Sequence, residues 1–315
     1  MPGRVRPAGC RVAVLGGTGW VGRHVCAALA ERGHDPLVVA RNHVPHVSGY
    51  DFRPLDLVAA GAGTIAEMLR AEDVGIVINA TDGANTTDGW DRTEAELRRV
   101  NVDSVHRLLA AMAELPWRSR IVHIGTIHEY GPVGAGIPIG ESVTPRPVNA
   151  YARTKFAGSA AALEAARDGV VDGLVLRLAN VCGPYPSPAS FPGKLLQMFR
   201  DAAGGAEVVL SIADARRDFV DVRDVADAVL RAVRAPVTGR AVNIGSGTVV
   251  DIRDLVAQLA EVAGLPPGAI KETGGPVPSL GGDWIQADIR LAERLLGWRP
   301  RTGLAESLRA MWEAG

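Results

Sequence analysis

A short apolar run that leads directly into a glycine-rich loop constrains this chain more than any other feature. The run is Val12–Leu15, and the loop reads Gly16-Gly17-Thr18-Gly19-Trp20-Val21-Gly22. The loop fits both the GxxGxxG and the GxGxxG pattern. Glycines between a strand and a helix allow a tight turn and a close backbone approach to a pyrophosphate, which the helix N-terminus attracts. The loop therefore predicts a dinucleotide site, against the alternative of a glycine turn without a ligand.

Short apolar runs alternate with helical patterns over the first two-thirds of the chain. The predicted strands are 11–15, 36–40, 52–55, 74–79, 121–124 and 174–178, and the predicted helices are 22–32, 94–115 and 151–167. Strands that alternate with helices indicate βαβ units. The predicted fold class is therefore α/β, a Rossmann-like doubly wound parallel sheet.

The pattern changes after Asn180. Residues 182–193 are rich in Pro and Gly and predict a loop, and residues 194–201 predict a helix. Another helix and strand, over 217–235 and 240–245, are expected to return to the sheet, and 251–264 and 288–296 predict two more helices. We expect a Rossmann domain over 10–183, with 217–246 returning to it. A smaller, interleaved C-terminal substrate lobe is expected from 184–216 and 247–315.

The charge and the cysteine content argue against several classes of protein. The chain has 34 basic and 35 acidic residues, so its net charge of −1 gives no bulk attraction to nucleic acid or to an anionic membrane. The three cysteines form no CxxC pair, which fits a reducing compartment and predicts no metal site. No apolar run approaches the roughly 18 residues of a membrane-spanning helix. The expected location is cytoplasmic.

The end of the second predicted strand bears on the choice of cofactor. NAD enzymes usually carry an acid about 20 residues past the glycine loop, where it holds the ribose hydroxyls. This chain has Arg41 and Asn42 there. A guanidinium suits a 2′-phosphate, so the sequence favours NADP over NAD. The alternative is a solvated surface arginine.

Tyr151 and Lys155 stand at positions i and i+4 of a predicted helix, on one face. A free tyrosine has a pKa near ~10 and is a poor acid–base group at neutral pH. A nearby ammonium favours the phenolate, so Lys155 is expected to lower the pKa of Tyr151. The alternative is a half-exposed surface pair.

Further segments follow in a characteristic order: Leu55-Asp56-Leu57, Val100-Asn101-Val102, Ile124-Gly125-Thr126, Tyr130-Gly131-Pro132, Arg177-Leu178-Ala179-Asn180-Val181-Cys182-Gly183-Pro184, Arg217-Asp218-Phe219-Val220 and Leu296-Gly297-Trp298-Arg299-Pro300. With the glycine loop and the Tyr151/Lys155 pair, they resemble the extended branch of the short-chain dehydrogenase/reductase superfamily. Within it, they resemble the nucleotide-sugar epimerases, dehydratases and ketoreductases. The resemblance covers nearly the whole chain.

The resemblance implies three sets of site residues. The catalytic residues would be Thr126, Tyr151 and Lys155. The cofactor would be bound by Gly16, Thr18, Gly19, Trp20, Val21, Gly22, Arg41, Asn42, Asp56, Leu57, Ala80, Thr81 and Asn101, with Tyr151 and Lys155. The substrate would be bound by Asp82, Ile127, His128, Asn180, Lys194 and Arg217. For Arg217, the alternative is a structural ion pair with Asp218 or Asp221.

The residues after Thr126 narrow the choice of reaction. Dehydratases of this type carry Asp and Glu there, whereas this chain has Ile127 and His128, which argues against elimination of water. His128 is either an auxiliary acid–base group or a packed residue near the cleft. The sequence favours NADPH-dependent reduction of a nucleotide-activated 4-keto-6-deoxy sugar. A nucleotide-sugar epimerase is the alternative, and an NADP-binding redox sensor without turnover is the second.

Two further expectations come from the resemblance. It implies a homodimer, in which the helices that contain Asn101 and Tyr151 pack against their partners as a four-helix bundle. It also implies a substrate cleft formed by residues 83–91, 127–130 and 184–194 and the C-terminal lobe.

Overall fold

Seven parallel strands form the central sheet of the computed structural model, which describes residues 9–83, 92–203, 207–266, 268–273, 279 and 282–314. In chain order the strands are β1 (Arg11–Leu15), β2 (Pro36–Ala40), β3 (Asp51–Pro54), β4 (Val74–Asn79), β5 (Arg120–Thr126), β6 (Asp172–Leu178), β7 (Asn180–Cys182), β8 (Val208–Leu210), β9 (Arg216–Asp221), β10 (Arg240–Ile244), β11 (Val249–Asp251), β12 (Ile270–Glu272) and β13 (Trp284–Ile285). The helices are α1 (Trp20–Glu31), α2 (Ala62–Ala71), α3 (Glu94–Arg98), α4 (Ser104–Ala113), α5 (Ala150–Arg167), α6 (Phe191–Ala203), α7 (Val222–Arg234), α8 (Ile252–Val262), α9 (Arg290–Leu296) and α10 (Leu304–Glu313).

The order of the central sheet is β10-β6-β5-β4-β1-β2-β3, and all neighbours are parallel. The strands that follow β1 are therefore added on one side of it up to β3, and from β4 onward they are added on the other side. In open parallel sheets, ligands bind outside the carboxyl ends of the strands at such a switch point. At this edge the Ala80 amide donates to the Leu15 carbonyl at 3.0 Å, so the glycine loop and the end of β4 lie side by side.

Helices cover both faces of the sheet. Along β1, Val12 and Val14 pack in a cluster with α1 and α7, whereas Ala13 and Leu15 pack in a second cluster with α2 and α4. Successive side chains of a strand point to opposite faces, so a strand buried on both faces is apolar throughout. This confirms the predicted doubly wound α/β class.

A second, smaller sheet has the order β11-β9-β13, with β7 also paired to β9. Its cluster of buried apolar residues is contributed largely by α6, α8 and α10, with Phe199, Leu259 and Met311 among the fully buried side chains. Between these elements the chain returns to the central sheet through α7 and β10. The structure thus interleaves the two regions, and the domain boundaries themselves stay a prediction.

The prediction of a helix over 217–235 was wrong in its first part. Residues 216–221 form β9, and the helix begins at Val222. The Asp221 side chain accepts a hydrogen bond from the Arg223 amide at 2.7 Å and so caps the helix. Four of the six residues of β9 are ionisable, so the sequence did not show the apolar pattern of a buried strand.

Other boundaries also differ from the predictions. The helix expected over 94–115 contains a π-helical turn, Arg99–Asp103, and ends at Ala113. The loop expected over 182–193 is shorter, because α6 begins at Phe191. Helices α2 and α10 were not predicted. No helix in the described ranges has both the length and the apolar composition needed to cross a membrane.

Candidate active site

The start of α1 presents free backbone donors at the switch point. Gly19 is the N-cap, no side chain caps the helix, and no acid lies in its first turn. The Arg23 amide donates to the Gly19 carbonyl at 2.9 Å, so the amides of Trp20, Val21 and Gly22 precede the first intrahelical bond. Three free donors at the positive end of a helix dipole suit a phosphate.

Two glycines of the loop are required by close contacts. Gly16 has a φ of +76°, and a Cβ on it would lie 2.9 Å from the Ala80 carbonyl oxygen. A Cβ on Gly22 would lie 2.2 Å from the Gly16 carbonyl oxygen. The loop therefore folds tightly back on the start of the helix. These residues fit the pyrophosphate of a dinucleotide.

Trp20 joins the glycine loop to the segment that follows β7. Its indole Nε1 donates to the Pro184 carbonyl at 2.9 Å, and its side chain is largely buried. Trp20 lines both the main cavity and a smaller cavity of about 380 Å³ near Arg23 and Tyr185. The sequence offered no reason for a tryptophan in this loop, and the structure shows that it bridges two segments.

The main cavity has a volume of about 500 Å³, within the usual range for ligand sites. Its lining includes twelve of the residues predicted for the site: Trp20, Val21, Ala80, Thr81, Asp82, Thr126, His128, Tyr151, Lys155, Asn180, Lys194 and Arg217. The structure thus brings the predicted catalytic residues and most of the predicted substrate residues into one space. Residues 84–91 of the predicted cleft lie outside the described residues.

The three predicted catalytic side chains meet where β5 ends and α5 begins. Thr126 ends β5, and Tyr151 and Lys155 lie one turn apart on α5, whose N-cap Asn149 accepts from the Ala152 amide at 2.8 Å. A hydrogen bond joins the side chains of Thr126 and Tyr151. Lys155 Nζ is buried and donates to the Ile124 carbonyl at 2.7 Å.

The expected lowering of the Tyr151 pKa was wrong for this structure. Burial raises the pKa of Tyr151 well above its ordinary value, and the Asp82 carboxylate raises it further. Tyr151 Oη donates to Asp82 Oδ2 at 2.9 Å. The charged group in hydrogen-bond contact with the phenol is therefore an anion, whereas the Lys155 ammonium donates to a backbone carbonyl.

His128 is held as a neutral imidazole. Burial, with a smaller contribution from the Arg217 guanidinium, lowers the pKa of His128 to about 4. Its side chain hydrogen-bonds Asn180, whose Nδ2 also donates to the Asp218 carbonyl at 3.1 Å. At neutral pH His128 can serve as a hydrogen-bond partner in the cavity, but it does not add a positive charge.

Arg217 is buried and lines the cavity from β9. Its guanidinium donates to the Arg216 carbonyl at 3.1 Å and to Ser279 Oγ and the Gly282 carbonyl. The proposed structural pairs are not formed, because Asp218 accepts from the Ser246 and Ala287 amides and Asp221 pairs with Arg223. Lys194 lies on α6 with its side chain exposed.

Asn101 and Ile127 are among the predicted site residues that do not line the main cavity. Asn101, 3% exposed, accepts from the Gly83 amide and donates to Thr154 Oγ1, both at 3.1 Å, so it ties α5 to the end of β4. Ile127 packs in a buried apolar cluster with Tyr130 and Ile139. Asn101 and Ile127 thus have structural contacts, and their contacts with cofactor and substrate stay predictions.

The residues expected to hold the adenosine end are spread along the carboxyl edge of the sheet. Arg41 and Asn42 are exposed after β2. Asp56 is exposed after β3, where its carboxylate accepts from the Val58 amide at 2.9 Å, and Leu57 is buried. The structure places them at the correct edge, and their contacts with a cofactor stay a prediction.

Sequence reasoning missed an apolar wall of the cavity and the burial of an acid next to Thr126. The wall includes Phe191, Ile212, Phe219 and Ile252. Phe219 was detectable, because it stands two residues after Arg217 and alternate residues of a strand share a face. Glu129 is fully buried and accepts from the Thr126 amide at 3.0 Å. The Thr126-x-x-Glu129 spacing of a capping box was the local signal for this bond.

Comparison with known proteins agrees with this geometry. Residues 12–245 match the NAD dependent epimerase/dehydratase family. The chain belongs to this family, within the extended branch of the short-chain dehydrogenase/reductase superfamily. The predictions of this family and of a nicotinamide-dependent enzyme are confirmed.

Three relatives illustrate what the chain is similar to. The dTDP-6-deoxy-L-talose 4-dehydrogenase (NAD(P)(+)) of Kitasatospora kifunensis is 35% identical over 98% of this chain and 96% of its own length. The probable dTDP-4,6-dihydroxy-2-methyloxan-3-one 4-ketoreductase of Streptomyces antibioticus is 30% identical over 83% of this chain and 80% of its length. The solved structure of MoeE5 with UDP-glucuronic acid and NAD superposes with a TM-score of 0.81 at 28% identity, covering 96% and 98% of the two chains.

Proposed function

We propose that this chain is an NADPH-dependent 4-ketoreductase that acts on a nucleotide-activated 4-keto-6-deoxy sugar. The observation that carries the proposal is the placement of Thr126, Tyr151 and Lys155 in the same cavity as Arg217 and Lys194. Such a cavity contains acid–base groups for a carbonyl and cations for a diphosphate.

The names of two relatives support the type of reaction. One names a 4-dehydrogenase of a dTDP-linked 6-deoxy sugar, and the other names a probable 4-ketoreductase of a dTDP-linked sugar. Oxidation and reduction at C4 are the same step in opposite directions. Both names therefore agree with hydride transfer at C4 of a nucleotide-linked sugar.

The chain's own residues would share the work as follows. The glycine loop would hold NADPH through its pyrophosphate, and the cofactor would supply a hydride for the carbonyl carbon. Tyr151 gives its proton to the carbonyl oxygen as the alcohol forms, and Thr126 holds that oxygen and the Tyr151 hydroxyl in place. Arg217 and Lys194 bind the diphosphate, and the apolar wall excludes water around the sugar.

The first experiment follows the absorbance of reduced nicotinamide in purified enzyme mixed with NADPH or NADH and a dTDP-4-keto-6-deoxyhexose. Loss of the NADPH signal only in the presence of the sugar supports the ketoreductase. Enzyme that retains stoichiometric NAD and consumes no NADPH is instead an epimerase that recycles its own hydride. Cofactor binding without turnover on any such sugar points to the redox sensor.

Arg41→Ala tests the preference for NADPH. The charge-assisted bond to a 2′-phosphate contributes about 1.5–3 kcal/mol, so the KM for NADPH should rise about 10- to 150-fold while the KM for NADH stays unchanged. Arg309→Ala, on the exposed face of α10, is the control and should alter neither constant. Equal changes in the KM for NADPH and in the KM for NADH would show that Arg41 does not bind the 2′-phosphate.

The homodimer and the cytoplasmic location stay predictions.

A further inference from the structure

Asp82 supplies a carboxylate to the main cavity. Among the lining residues that the structure describes, it carries the one carboxylate, and the residue is half-buried. Buried asparagines anchor both of its neighbours in the chain. The Thr81 hydroxyl donates to Asn79 Oδ1 at 2.6 Å, and the Gly83 amide donates to Asn101 Oδ1 at 3.1 Å. The fold therefore holds the backbone on each side of Asp82, which is the support that a precise binding residue needs.

Asp82 lies one hydrogen bond away from the tyrosine of the proposed reaction. The distance from Tyr151 Oη to Asp82 Oδ2 is 2.9 Å, and a hydrogen bond also joins the side chains of Tyr151 and Thr126. The proposed reaction puts the substrate carbonyl oxygen against Tyr151 and Thr126. Asp82 is therefore within reach of a group on the carbon next to that carbonyl.

A 4-keto-6-deoxy sugar carries a hydroxyl at that place. On one side of the C4 carbonyl, C3 carries a hydroxyl, and on the other side C5 carries the methyl group and the ring oxygen. Oxygens on adjacent carbons of a sugar ring are about as far apart as two hydrogen-bonded oxygens. The carbonyl oxygen, the C3 hydroxyl, Asp82 Oδ2 and Tyr151 Oη can therefore close a ring of four oxygens, each side about one hydrogen bond long.

We propose that Asp82 binds the C3 hydroxyl of the substrate and selects sugars in which that hydroxyl is free. The inference rests on the proposed function and deepens it, because it names a substrate group that the site recognises besides the carbonyl. The sugar hydroxyl takes the acceptor that Tyr151 contacts in this structure. Rotation about the C–O bond of Tyr151 then turns its hydroxyl toward the carbonyl oxygen, and no heavy atom has to move.

The hydrogen-bonding chemistry of the three side chains also orients the sugar. A carboxylate accepts hydrogen bonds and donates none, whereas the hydroxyls of Thr126 and Tyr151 can donate. A carbonyl oxygen placed against Asp82 would meet a negative charge and no donor. Asp82 therefore takes the oxygen that carries a hydrogen, and the carbonyl goes to the two hydroxyls.

Other polar groups of the cavity are already engaged with protein partners. The Lys155 ammonium donates to the Ile124 carbonyl at 2.7 Å, and the His128 side chain hydrogen-bonds Asn180. These groups are less available to the C3 hydroxyl than the carboxylate of Asp82, which stands directly beside Tyr151.

The test compares a dTDP-4-keto-6-deoxyhexose with its 3-deoxy analogue. The readout is selectivity, defined as the ratio of kcat/KM for the sugar with the C3 hydroxyl to kcat/KM for the analogue, both measured by NADPH absorbance. A hydrogen bond to a charged group should give the wild type a selectivity of about 10- to 150-fold. In Asp82→Ala the selectivity should fall below about threefold, because only the sugar with the hydroxyl loses a contact.

Two further variants sharpen the comparison. Asp82→Asn keeps a neutral acceptor and should retain part of the selectivity, which also covers the case in which Asp82→Ala folds poorly. Asp35→Ala removes an exposed carboxylate and should leave the selectivity at the wild-type value. A merely structural role for Asp82 would lower kcat/KM equally for both sugars. Selectivity that stays the same in Asp82→Ala, or that the wild type lacks, would overturn the proposal.

Calorimetric binding of a dTDP-6-deoxyhexose and its 3-deoxy analogue separates this claim from the ketoreductase, because it requires no turnover. If the protein consumes no NADPH with either keto sugar but prefers the 3-hydroxyl in binding, and loses the preference in Asp82→Ala, the ketoreductase is rejected and the role of Asp82 stands. An active enzyme without that preference keeps the ketoreductase and rejects the role of Asp82. Failure of the protein to bind or reduce any of these sugars rejects both.

Discussion

Replacement of Tyr151 by phenylalanine should lower kcat for reduction about 10²- to 10⁴-fold, the usual contribution of a positioned general acid. The variant keeps the ring and removes only the hydroxyl that reaches Thr126 and Asp82. The glycine loop and Arg41 are untouched, so affinity for NADPH, measured by fluorescence titration, should remain within about twofold of the wild type.

Tyr185→Phe is the matched control, because it removes a hydroxyl from a tyrosine that is 47% exposed and stacks under Arg23 beside the glycine loop. The Tyr185→Phe variant should keep the kcat of the wild type. A fall in kcat of less than tenfold in Tyr151→Phe would show that Tyr151 is not the general acid. Loss of NADPH binding would assign it to the cofactor site instead.

The parts of the site that could be predicted are those encoded by local patterns. The glycine loop, the buried strands and the spacing of Tyr151 and Lys155 each lie within a few residues of sequence. A doubly wound sheet then brings the carboxyl ends of its strands to one edge, so Thr126, Tyr151 and Ala80 had to meet near the loop.

The parts that escaped prediction depend on contacts between distant segments. Trp20 reaches Pro184, 164 positions away, and Asp82 reaches Tyr151, 69 positions away. The hydrophobic periodicity of a single segment gives no information on contacts between residues so far apart in the chain. The expected effect of Lys155 on the pKa of Tyr151 was wrong for the same reason, because spacing alone did not show that Asp82 would accept a hydrogen bond from the Tyr151 hydroxyl.

The charged strand β9 shows the limit of hydropathy patterns. Arg217, Asp218 and Asp221 are all buried. Arg217 and Asp218 are satisfied largely by distant segments, and Asp221 is satisfied by Arg223 at the start of α7. Asp218, for example, accepts from the Ser246 and Ala287 amides. The sequence of such a strand has the polar composition of a solvent-exposed segment. Residues 217–221 were therefore predicted as part of a helix.

Glu129→Ala should lower the free energy of unfolding by about 3–5 kcal/mol, measured by urea denaturation. Glu129 is fully buried, and its carboxylate accepts from Arg177 Nε and Ser159 Oγ at 2.7 Å and from the Thr126 amide at 3.0 Å. Alanine would leave a buried guanidinium without its counter-charge. The Arg177 guanidinium also lies 4.4 Å over the Tyr130 ring, so it cannot easily turn away.

The control is an ion pair at the protein surface that has the same N–O distance. Glu94 pairs with Arg153 at 2.7 Å, but these side chains are 54% and 44% exposed, against 0% and 4% for Glu129 and Arg177. Glu94→Ala should therefore lower the free energy of unfolding far less than Glu129→Ala does. Equal losses in the two variants would show that the buried pair does not stabilise the fold. Because Glu129 also holds the Thr126 backbone, Glu129→Ala should lower kcat even where it is folded, whereas Glu94→Ala should not.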